Sequence, residues 1–247
     1  MNILAAVLLL ISAVATQVGS TMLRGFQCAK HSQPWTAALF DGLKFHCTGT
    51  LINEQWLVTA AQCYTGRPLL VSLGEHSLWH FDFTEQLKIA VKTIRHPFFD
   101  SYSKANDIML VKLLTPVFIN KNVRPLALPR RCPLPESYCV LPGWGTTILK
   151  KVWLPDVLHC GNITTLSDSE CLDVYPRSIT KNMLCATVRR GGTDSCQGDP
   201  GSPLICNNEL QGVTSWGFEE CSQLDRPSVF TKVCNYMNWL EQTMSYA

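Results

Sequence analysis

The most informative segment of this 247-residue chain is Gly191-Gly192-Thr193-Asp194-Ser195-Cys196-Gln197-Gly198-Asp199-Pro200-Gly201-Ser202-Pro203-Leu204. Glycine and proline punctuate it, and it ends in a short apolar run, Pro203 to Cys206, which we interpret as a β-strand. Pro200 has no side-chain hydroxyl and no backbone N–H. It can therefore neither attack a carbonyl carbon nor donate a main-chain hydrogen bond.

Similar apolar runs, separated by Gly, Pro, Asn and Asp, recur along the rest of the chain and are interpreted as strands. They are Trp35 to Phe40, Phe45 to Ile52, Trp56 to Ala61, Leu69 to Leu73, Leu87 to Ile94, Ile108 to Leu113, Tyr138 to Leu141, Asn162 to Leu166, Met183 to Thr187, Leu210 to Trp216 and Ser228 to Val233. This spacing favours an all-β sandwich or barrel over alternating strands and helices, and the pattern alone does not choose between the two.

Two short helices are also predicted. Ser167-Asp168-Ser169-Glu170 has the spacing of a capping box. Near the end of the chain, Tyr236, Trp239, Leu240 and Met244 recur at helical spacing, which predicts a helix packed on the core.

Composition indicates a globular domain with a large core, because 46% of the residues are apolar and only 16% are charged. Twenty-one basic and nineteen acidic residues leave a formal charge of +2, and no dense Lys/Arg run occurs. Nothing in this charge pattern favours nucleic acid or an anionic membrane as a partner.

The first residues resemble a secretory signal. Residues 1–21 carry no charged side chain, and the apolar run 3–11 is followed by Ala13-Val14-Ala15. We expect a signal peptide at residues 1–15, with a signal anchor as the alternative, and a secreted, extracellular protein.

Cysteine usage agrees with that compartment. The twelve cysteines are an even number, and no Cys-x-x-Cys or clustered Cys/His spacing suggests zinc. We therefore expect disulfides, with no metal and no cofactor, and the count alone does not fix their pairing.

Eight motifs occur in the order and spacing of trypsin-like serine proteases. They are Ser32-Gln33-Pro34-Trp35, Gly49-Thr50-Leu51-Ile52, Val58-Thr59-Ala60-Ala61, Asn106-Asp107-Ile108, Pro142-Gly143-Trp144-Gly145, the segment from Gly191 to Leu204, Ser215-Trp216-Gly217 and Thr231-Lys232-Val233. The chain resembles this family, and most closely the tissue kallikreins. The resemblance implies two six-stranded antiparallel β-barrels of the trypsin/chymotrypsin type, with the active-site cleft between them and a C-terminal helix. It also implies a peptidase S1 domain at residues 22–247, preceded by a short vestigial propeptide at residues 16–21.

The resemblance further implies a pairing for all twelve cysteines. The pairs are Cys28 with Cys160, Cys47 with Cys63, Cys132 with Cys234, Cys139 with Cys206, Cys171 with Cys185, and Cys196 with Cys221.

Catalysis in this family needs a serine that attacks, a histidine that takes its proton and an aspartate that orients the histidine. Asp107 matches the aspartate, and Ser215 matches the residue that hydrogen-bonds it. Gln62 stands at the histidine position, and Pro200 stands at the serine position. A carboxamide cannot take up a proton near neutral pH, so we expect Gln62 to serve only as a hydrogen-bond partner of Asp107.

Two neighbouring features of the catalytic site also depart from the family. Gly198 can still present one oxyanion-hole N–H, but the second donor is lost at Pro200. Active relatives are cut after Arg or Lys, and the new terminus pairs with an aspartate that corresponds to Asp199. Thr21 precedes Met22 here, so we expect this activation step to be altered.

The substrate pocket of the family is partly retained. Asp194 matches the acid that selects Arg or Lys, and Ser215, Trp216 and Gly217 match the edge that pairs with a peptide backbone. Ser228 replaces a glycine and should narrow the pocket. Separately, Asn162-Ile163-Thr164 is a glycosylation sequon.

The leading hypothesis is a secreted, kallikrein-like serine protease homologue that is catalytically inactive and acts by binding. We expect it to be a monomer, with a protein or peptide ligand that presents Arg or Lys. One alternative is a trypsin-like endopeptidase that cleaves after Arg or Lys through a non-standard site. Another is a decaying duplicate without a selected activity.

Overall fold

A computed structural model describes residues 26–145, 157–188, 199–217 and 226–247 of the chain. The expected signal peptide and propeptide, and residues 191–198, lie outside them. The strands of the described residues are β1 (Phe26–Gln27), β2 (Thr36–Asp41), β3 (Lys44–Leu51), β4 (Trp56–Thr59), β5 (Leu70–Leu73), β6 (Gln86–Arg95), β7 (Met109–Leu113), β8 (Tyr138–Gly143), β9 (His159–Thr165), β10 (Met183–Thr187), β11 (Pro203–Cys206), β12 (Glu209–Trp216) and β13 (Ser228–Lys232).

Strands β2 to β7 form the first barrel, which closes in the order β2-β3-β4-β7-β6-β5. Every pairing in it is antiparallel. The strands need no open edge, because closure gives each backbone N–H and C=O row a partner. Leu39, Leu57 and Leu110 are completely buried within this barrel.

The second barrel contains β8 to β13. Its strands follow the order β9-β10-β13-β12-β11-β8, and the antiparallel pairing of β8 with β9 closes the ring. Strand β1 adds to the edge of β9, with Phe26 opposite Cys160. The resemblance therefore gave the right architecture: two six-stranded antiparallel barrels.

Both predicted helices are present. Helix α1 (Asp168–Val174) begins with a complete capping box, in which the Ser167 side chain accepts from the Glu170 backbone N–H and the Glu170 side chain accepts from the Ser167 backbone N–H. Helix α2 (Met237–Tyr246) ends the chain and buries Leu240 fully. Leu240 lies in the same apolar cluster as residues of both barrels, so this helix helps to join them.

Five of the six expected disulfides are observed: Cys28–Cys160, Cys47–Cys63, Cys132–Cys234, Cys139–Cys206 and Cys171–Cys185. The sixth expected pair, Cys196 with Cys221, lies outside the described residues. The first bridge joins the N-terminal segment to the second barrel, and the second bridge flanks Gln62.

Most predicted strand bounds shift by a residue or a few, as for β9, which begins at His159 and not at Asn162. One shifted boundary and one missed strand stand out. The strand expected to reach Ala61 ends at Thr59, and Ala61–Cys63 is one turn of 3-10 helix. The two-residue strand β1 was not predicted, since so short a segment carries no periodicity. The first correction matters for function, because it places Gln62 on a turn at the end of the barrel.

Candidate functional site

Asp107 lies two residues before β7 and has no exposed surface. Its carboxylate accepts three hydrogen bonds: from the Gln62 backbone N–H (2.9 Å), from Gln62 Nε2 (2.7 Å) and from Ser215 Oγ (2.6 Å). Gln62 Nε2 also donates to the Ser215 carbonyl oxygen at 2.6 Å. Since Ser215 belongs to β12, the two bonds that involve it join the two barrels.

The surroundings of Asp107 determine its ionisation. Burial raises the pKa of the Asp107 carboxyl above its ordinary value, while the hydrogen bonds from Ser215 and Gln62 lower it. The donors stabilise the ionised form and so compensate part of the burial. Burial is the larger effect, so the pKa of Asp107 stays above its ordinary value even with these donors in place.

The side-chain amide of Gln62 is held on both sides. Its Nε2 is fully directed to Asp107 and Ser215, so both of its N–H bonds are used. An amide held in this way keeps the contacts of an oriented imidazole, but it cannot accept a proton near neutral pH. The hydrogen bond from Gln62 to Asp107 is the one expected from the sequence.

All six histidines lie within the described residues. His46 is close in space to this part of the chain, and its ring Nε2 is 3.2 Å from the carbonyl oxygen of Cys63. In the described residues no hydrogen bond joins a histidine to Asp107, Gln62 or Ser215. No group of three or more potential metal ligands occurs in these residues either.

Pro200 lies in a turn that rests on the first barrel. Its carbonyl oxygen accepts a hydrogen bond from the Thr48 backbone N–H at 3.0 Å. The next residue, Gly201, has φ +85°, and a Cβ there would lie 2.1 Å from the Thr48 carbonyl oxygen and 2.2 Å from Thr59 Oγ1. Only glycine fits this close approach, so the backbone position of Pro200 is fixed from both sides.

Asp199, which precedes Pro200, is also completely buried. Its Oδ2 accepts from the Trp144 backbone N–H at 2.6 Å and from the Gly145 backbone N–H at 3.3 Å. Thr48 Oγ1 donates to the same oxygen at 3.3 Å. Thr48 therefore contacts both Asp199 and Pro200, and it holds their turn in place.

Ser202 is a second unusual residue in this turn. It is fully buried, and its Oγ has no hydrogen-bond partner among the described residues. An unpaired buried hydroxyl costs about 1–3 kcal/mol. Nothing in the structure explains this serine, which stands where the family has glycine.

The wall of the expected substrate pocket is described only in part. Trp216 pairs with Val229 at the end of β12, and its ring lies 5.0 Å from that of Tyr175. Ser228 begins β13, half-buried, and Gly217 follows Trp216. Asp194 and Gly198 lie outside the described residues.

Three residues of the site were not found from the sequence. Tyr175 packs on Trp216 and donates from its hydroxyl to the Pro227 carbonyl oxygen at 2.8 Å. Thr231 donates from Oγ1 to the Asp107 carbonyl oxygen at 2.7 Å, and Thr48 supports Asp199. Their partners are far away in the sequence, so no local pattern could have indicated them.

The two closed barrels, with the buried Asp107–Ser215 pair between them, define the double-barrel class of serine protease folds. A family model described as trypsin matches residues 22–240. Kallikrein-11 of Homo sapiens is 43% identical over 248 residues, which cover 99% of this chain and 88% of that protein. Trypsin of Xenopus laevis is 44% identical over 245 residues, which cover 99% of both.

A solved structure has the same fold. Neuropsin, described as a serine protease expressed in the limbic system of mouse brain, superimposes with a TM-score of 0.83 at 38% identity, covering 90% of this chain and 100% of that one. The chain therefore belongs to the trypsin family of serine proteases, with kallikreins among its relatives.

Proposed function

We propose that this protein is a secreted pseudoprotease: a trypsin-family domain that binds a protein or peptide in its cleft and does not cleave it. One observation supports the proposal above the others. The amide of Gln62 makes the hydrogen bonds to Asp107 and Ser215 that orient a catalytic base, in a residue that cannot act as one.

Loss of the nucleophile compounds the loss of the base. The Pro200 ring offers no hydroxyl, and losing nucleophile or base alone from such a triad reduces turnover on the order of a millionfold. Proline also lacks the N–H that forms half of the oxyanion hole, which is worth roughly a further 100- to 1000-fold. Together these losses leave no route to an acyl intermediate.

The described part of the scaffold supports such a binding site. It has five disulfides, two closed barrels and the buried hydrogen bonds of Asp107. We propose a ligand with an Arg or Lys side chain, directed to Asp194, and with a backbone that pairs along Ser215 to Gly217. Ser228 narrows this pocket and weakens the fit of a full Arg side chain.

Secretion and glycosylation belong to the same proposal. Five disulfides are typical of an oxidising, extracellular compartment. Asn162, on β9, is exposed, so its side-chain amide is accessible for glycosylation. No helix of the described residues is long and apolar enough to cross a membrane.

The test is a restoration of catalysis. We would combine Gln62→His, Pro200→Ser, Ser202→Gly and Thr21→Lys, and assay Arg and Lys peptides with the parent and with each single variant. Activity in the combined variant alone locates the defect in the triad and the activation site. Peptide hydrolysis by the purified parent protein contradicts the proposal.

One rival function has an observation in its favour. The Asp107–Ser215 pair and the acidic Asp194 are those of an endopeptidase that cleaves after Arg or Lys. If the parent protein hydrolyses such peptides and an Asp194→Ala variant does not, this rival is right. Hydrolysis that does not depend on Asp194 indicates a contaminating protease.

A further inference from the structure

A cavity of about 380 Å³ opens on the surface of the first barrel, where β6 ends. Four of the residues that line it carry polar side chains: Tyr64, Thr93, Arg95 and His96. No acidic residue of the described chain lines it. We call this cavity the Arg95 pocket.

The Arg95 pocket adjoins the Gln62–Asp107 pair. Tyr64 follows the 3-10 turn that carries Gln62, and it lies two residues after Gln62. On the β6 side, Arg95 pairs with Met109 of β7, which lies two residues after Asp107. Residues two apart in a chain are within about 7 Å of each other. The pocket therefore lies beside this pair, and its lining includes none of the residues that match the substrate pocket of the family.

The guanidinium of Arg95 is held by an aromatic ring and has no acidic partner. Its Cζ lies 4.4 Å from the centroid of the Tyr64 ring, over the ring face. Stacking of this kind occupies a face of the planar guanidinium and leaves the N–H groups at its edge free. None of the ion pairs found among the described residues includes Arg95. Its charge is thus positioned but not neutralised.

Two hydroxyl groups of the pocket are also available to a ligand. The side chains of Tyr64 and Thr93 make no hydrogen bond within the described part of the chain. His96 adds no charge near neutral pH, because burial lowers the pKa of its ring. The His96 ring packs against those of Tyr236 and Trp239, at centroid distances of 5.2 and 5.0 Å, which holds this wall in place. The pocket therefore offers one positive charge and two hydroxyls.

One arginine with two hydroxyls suits a single carboxylate. A carboxylate is planar, carries one negative charge and accepts two parallel N–H bonds from a guanidinium. A phosphate group carries nearly two negative charges near neutral pH, and a single arginine leaves part of that charge unpaired. We propose that the Arg95 pocket binds the carboxylate of an aspartate or glutamate side chain in a protein or peptide ligand.

The position of the pocket connects it to the cleft. An extended ligand advances about 3.3 Å per residue. The same ligand can therefore place one residue in the cleft beside Gln62 and an acidic residue, a few positions away, in the Arg95 pocket. This connection rests on the proposed function, whereas the binding of a carboxylate by the pocket does not.

NMR of the full chain, labelled with ¹⁵N-arginine, tests the pocket alone. The probe is N-acetylglutamate α-amide, which has one carboxylate, and the neutral comparison is N-acetylglutamine amide. We expect the acidic probe alone to shift the Arg95 Nε–H signal, which Arg95→Gln removes and so assigns. Arg124 is the matched control, because its guanidinium also lies over an aromatic ring, 5.7 Å from the centroid of Trp35, and does not line this pocket. The probe should bind at Arg95 at least about tenfold more tightly than at Arg124, since the pocket hydroxyls add hydrogen bonds.

Labelled peptides test the connection to the cleft by fluorescence anisotropy. Each carries one arginine, directed to Asp194, and one glutamate placed one to four residues before or after it; a second set has glutamine instead. At least one glutamate peptide should bind about tenfold more tightly than its glutamine counterpart. Arg95→Gln should remove this gain and Arg124→Gln should keep it. Thermal unfolding verifies that both variants fold.

Three NMR results overturn the proposal. They are an Arg95 signal that does not shift, an Arg124 signal that shifts equally, and a shift of Arg95 at lower concentrations of inorganic phosphate than of the acidic probe, because the occupant is then a phosphate group. If Arg95 responds as expected but neither peptide set binds, the pocket stands and the proposed function fails. If both sets bind equally and lose binding in Asp194→Ala, the cleft stands and its connection to the Arg95 pocket is wrong.

Discussion

Replacing Gln62 with leucine should destabilise the fold, because the Gln62 amide donates hydrogen bonds to Asp107 and Ser215. The variant Gln62→Leu keeps the backbone N–H that donates to Asp107 and loses both bonds of Nε2. A hydrogen bond to a charged group contributes about 1.5–3 kcal/mol, and a neutral one about 0.5–1.5 kcal/mol. Gln62 is half-buried, so water replaces part of both bonds. We expect a loss of about 2 kcal/mol in the free energy of unfolding.

For a domain of this size that loss lowers Tm by about 4–8 °C. The matched control is Gln55→Leu, since Gln55 is also half-buried and its Nε2 makes one neutral bond, to the Leu113 carbonyl oxygen at 2.9 Å. It should cost about 1 kcal/mol or less. Chemical unfolding with the disulfides intact measures both variants.

The pH dependence separates a lost charge-assisted bond from lost packing. Without the Gln62 donor the pKa of Asp107 rises further, so the native state binds a proton to higher pH than the unfolded chain does. Stability then falls as pH rises from the ordinary carboxyl pKa to the raised one. The variant should be closest to the parent in acid and weakest near neutral pH. An equal loss at every pH, or a loss no larger than that of Gln55→Leu, refutes the reasoning.

Three further predictions concern backbone, ionisation and modification. Gly201→Ala should prevent folding or secretion because of the contact with Thr48, whereas Gly42→Ala, at φ +62° with no atom within 4 Å, should cost about 1 kcal/mol by chemical unfolding. Burial and neighbouring carboxylates raise the pKa of Glu75 to about 7, so the free energy of unfolding should fall as pH rises from about 4.5 to 7. The decrease should be at most about 1 kcal/mol, and the variant Glu75→Gln, measured in EDTA to exclude metal ions, should not show it. Asn162→Gln should abolish the glycosidase-sensitive mass of the secreted protein; an unchanged parent mass after glycosidase treatment contradicts this.

Much of the fold was predictable from the sequence, for identifiable reasons. The strands Met183–Thr187 and Pro203–Cys206 have the predicted bounds, because each is a short apolar run between polar turns. Whether the strands formed a sandwich or barrels was not decided by pattern. Closure depends on which strands meet across the sheet, and the family resemblance supplied that information.

The residues of the candidate site could be predicted from the sequence only where they lie in a motif of the family. Asp107, Gln62 and Ser215 come from three distant segments of the chain. The family resemblance alone predicted that they share one site, and the structure confirms their contacts. The contacts of Thr48 and Thr231 could not be predicted, because no motif assigns a role to either residue. Threonine is common in strands, and the sequence does not distinguish a hydrogen-bond donor to the site from an ordinary buried residue. The Ser202 hydroxyl, which has no hydrogen-bond partner among the described residues, likewise could be identified only from the structure.

We propose that this trypsin-family domain forms no covalent intermediate. The most direct measurement is the intact mass of the purified secreted protein after treatment with a fluorophosphonate, and after incubation with Arg and Lys ester substrates. The restored variant that combines Gln62→His, Pro200→Ser, Ser202→Gly and Thr21→Lys serves as the positive control. We expect an unchanged mass for the parent protein. A stoichiometric phosphonyl or acyl adduct on any of its serines contradicts it.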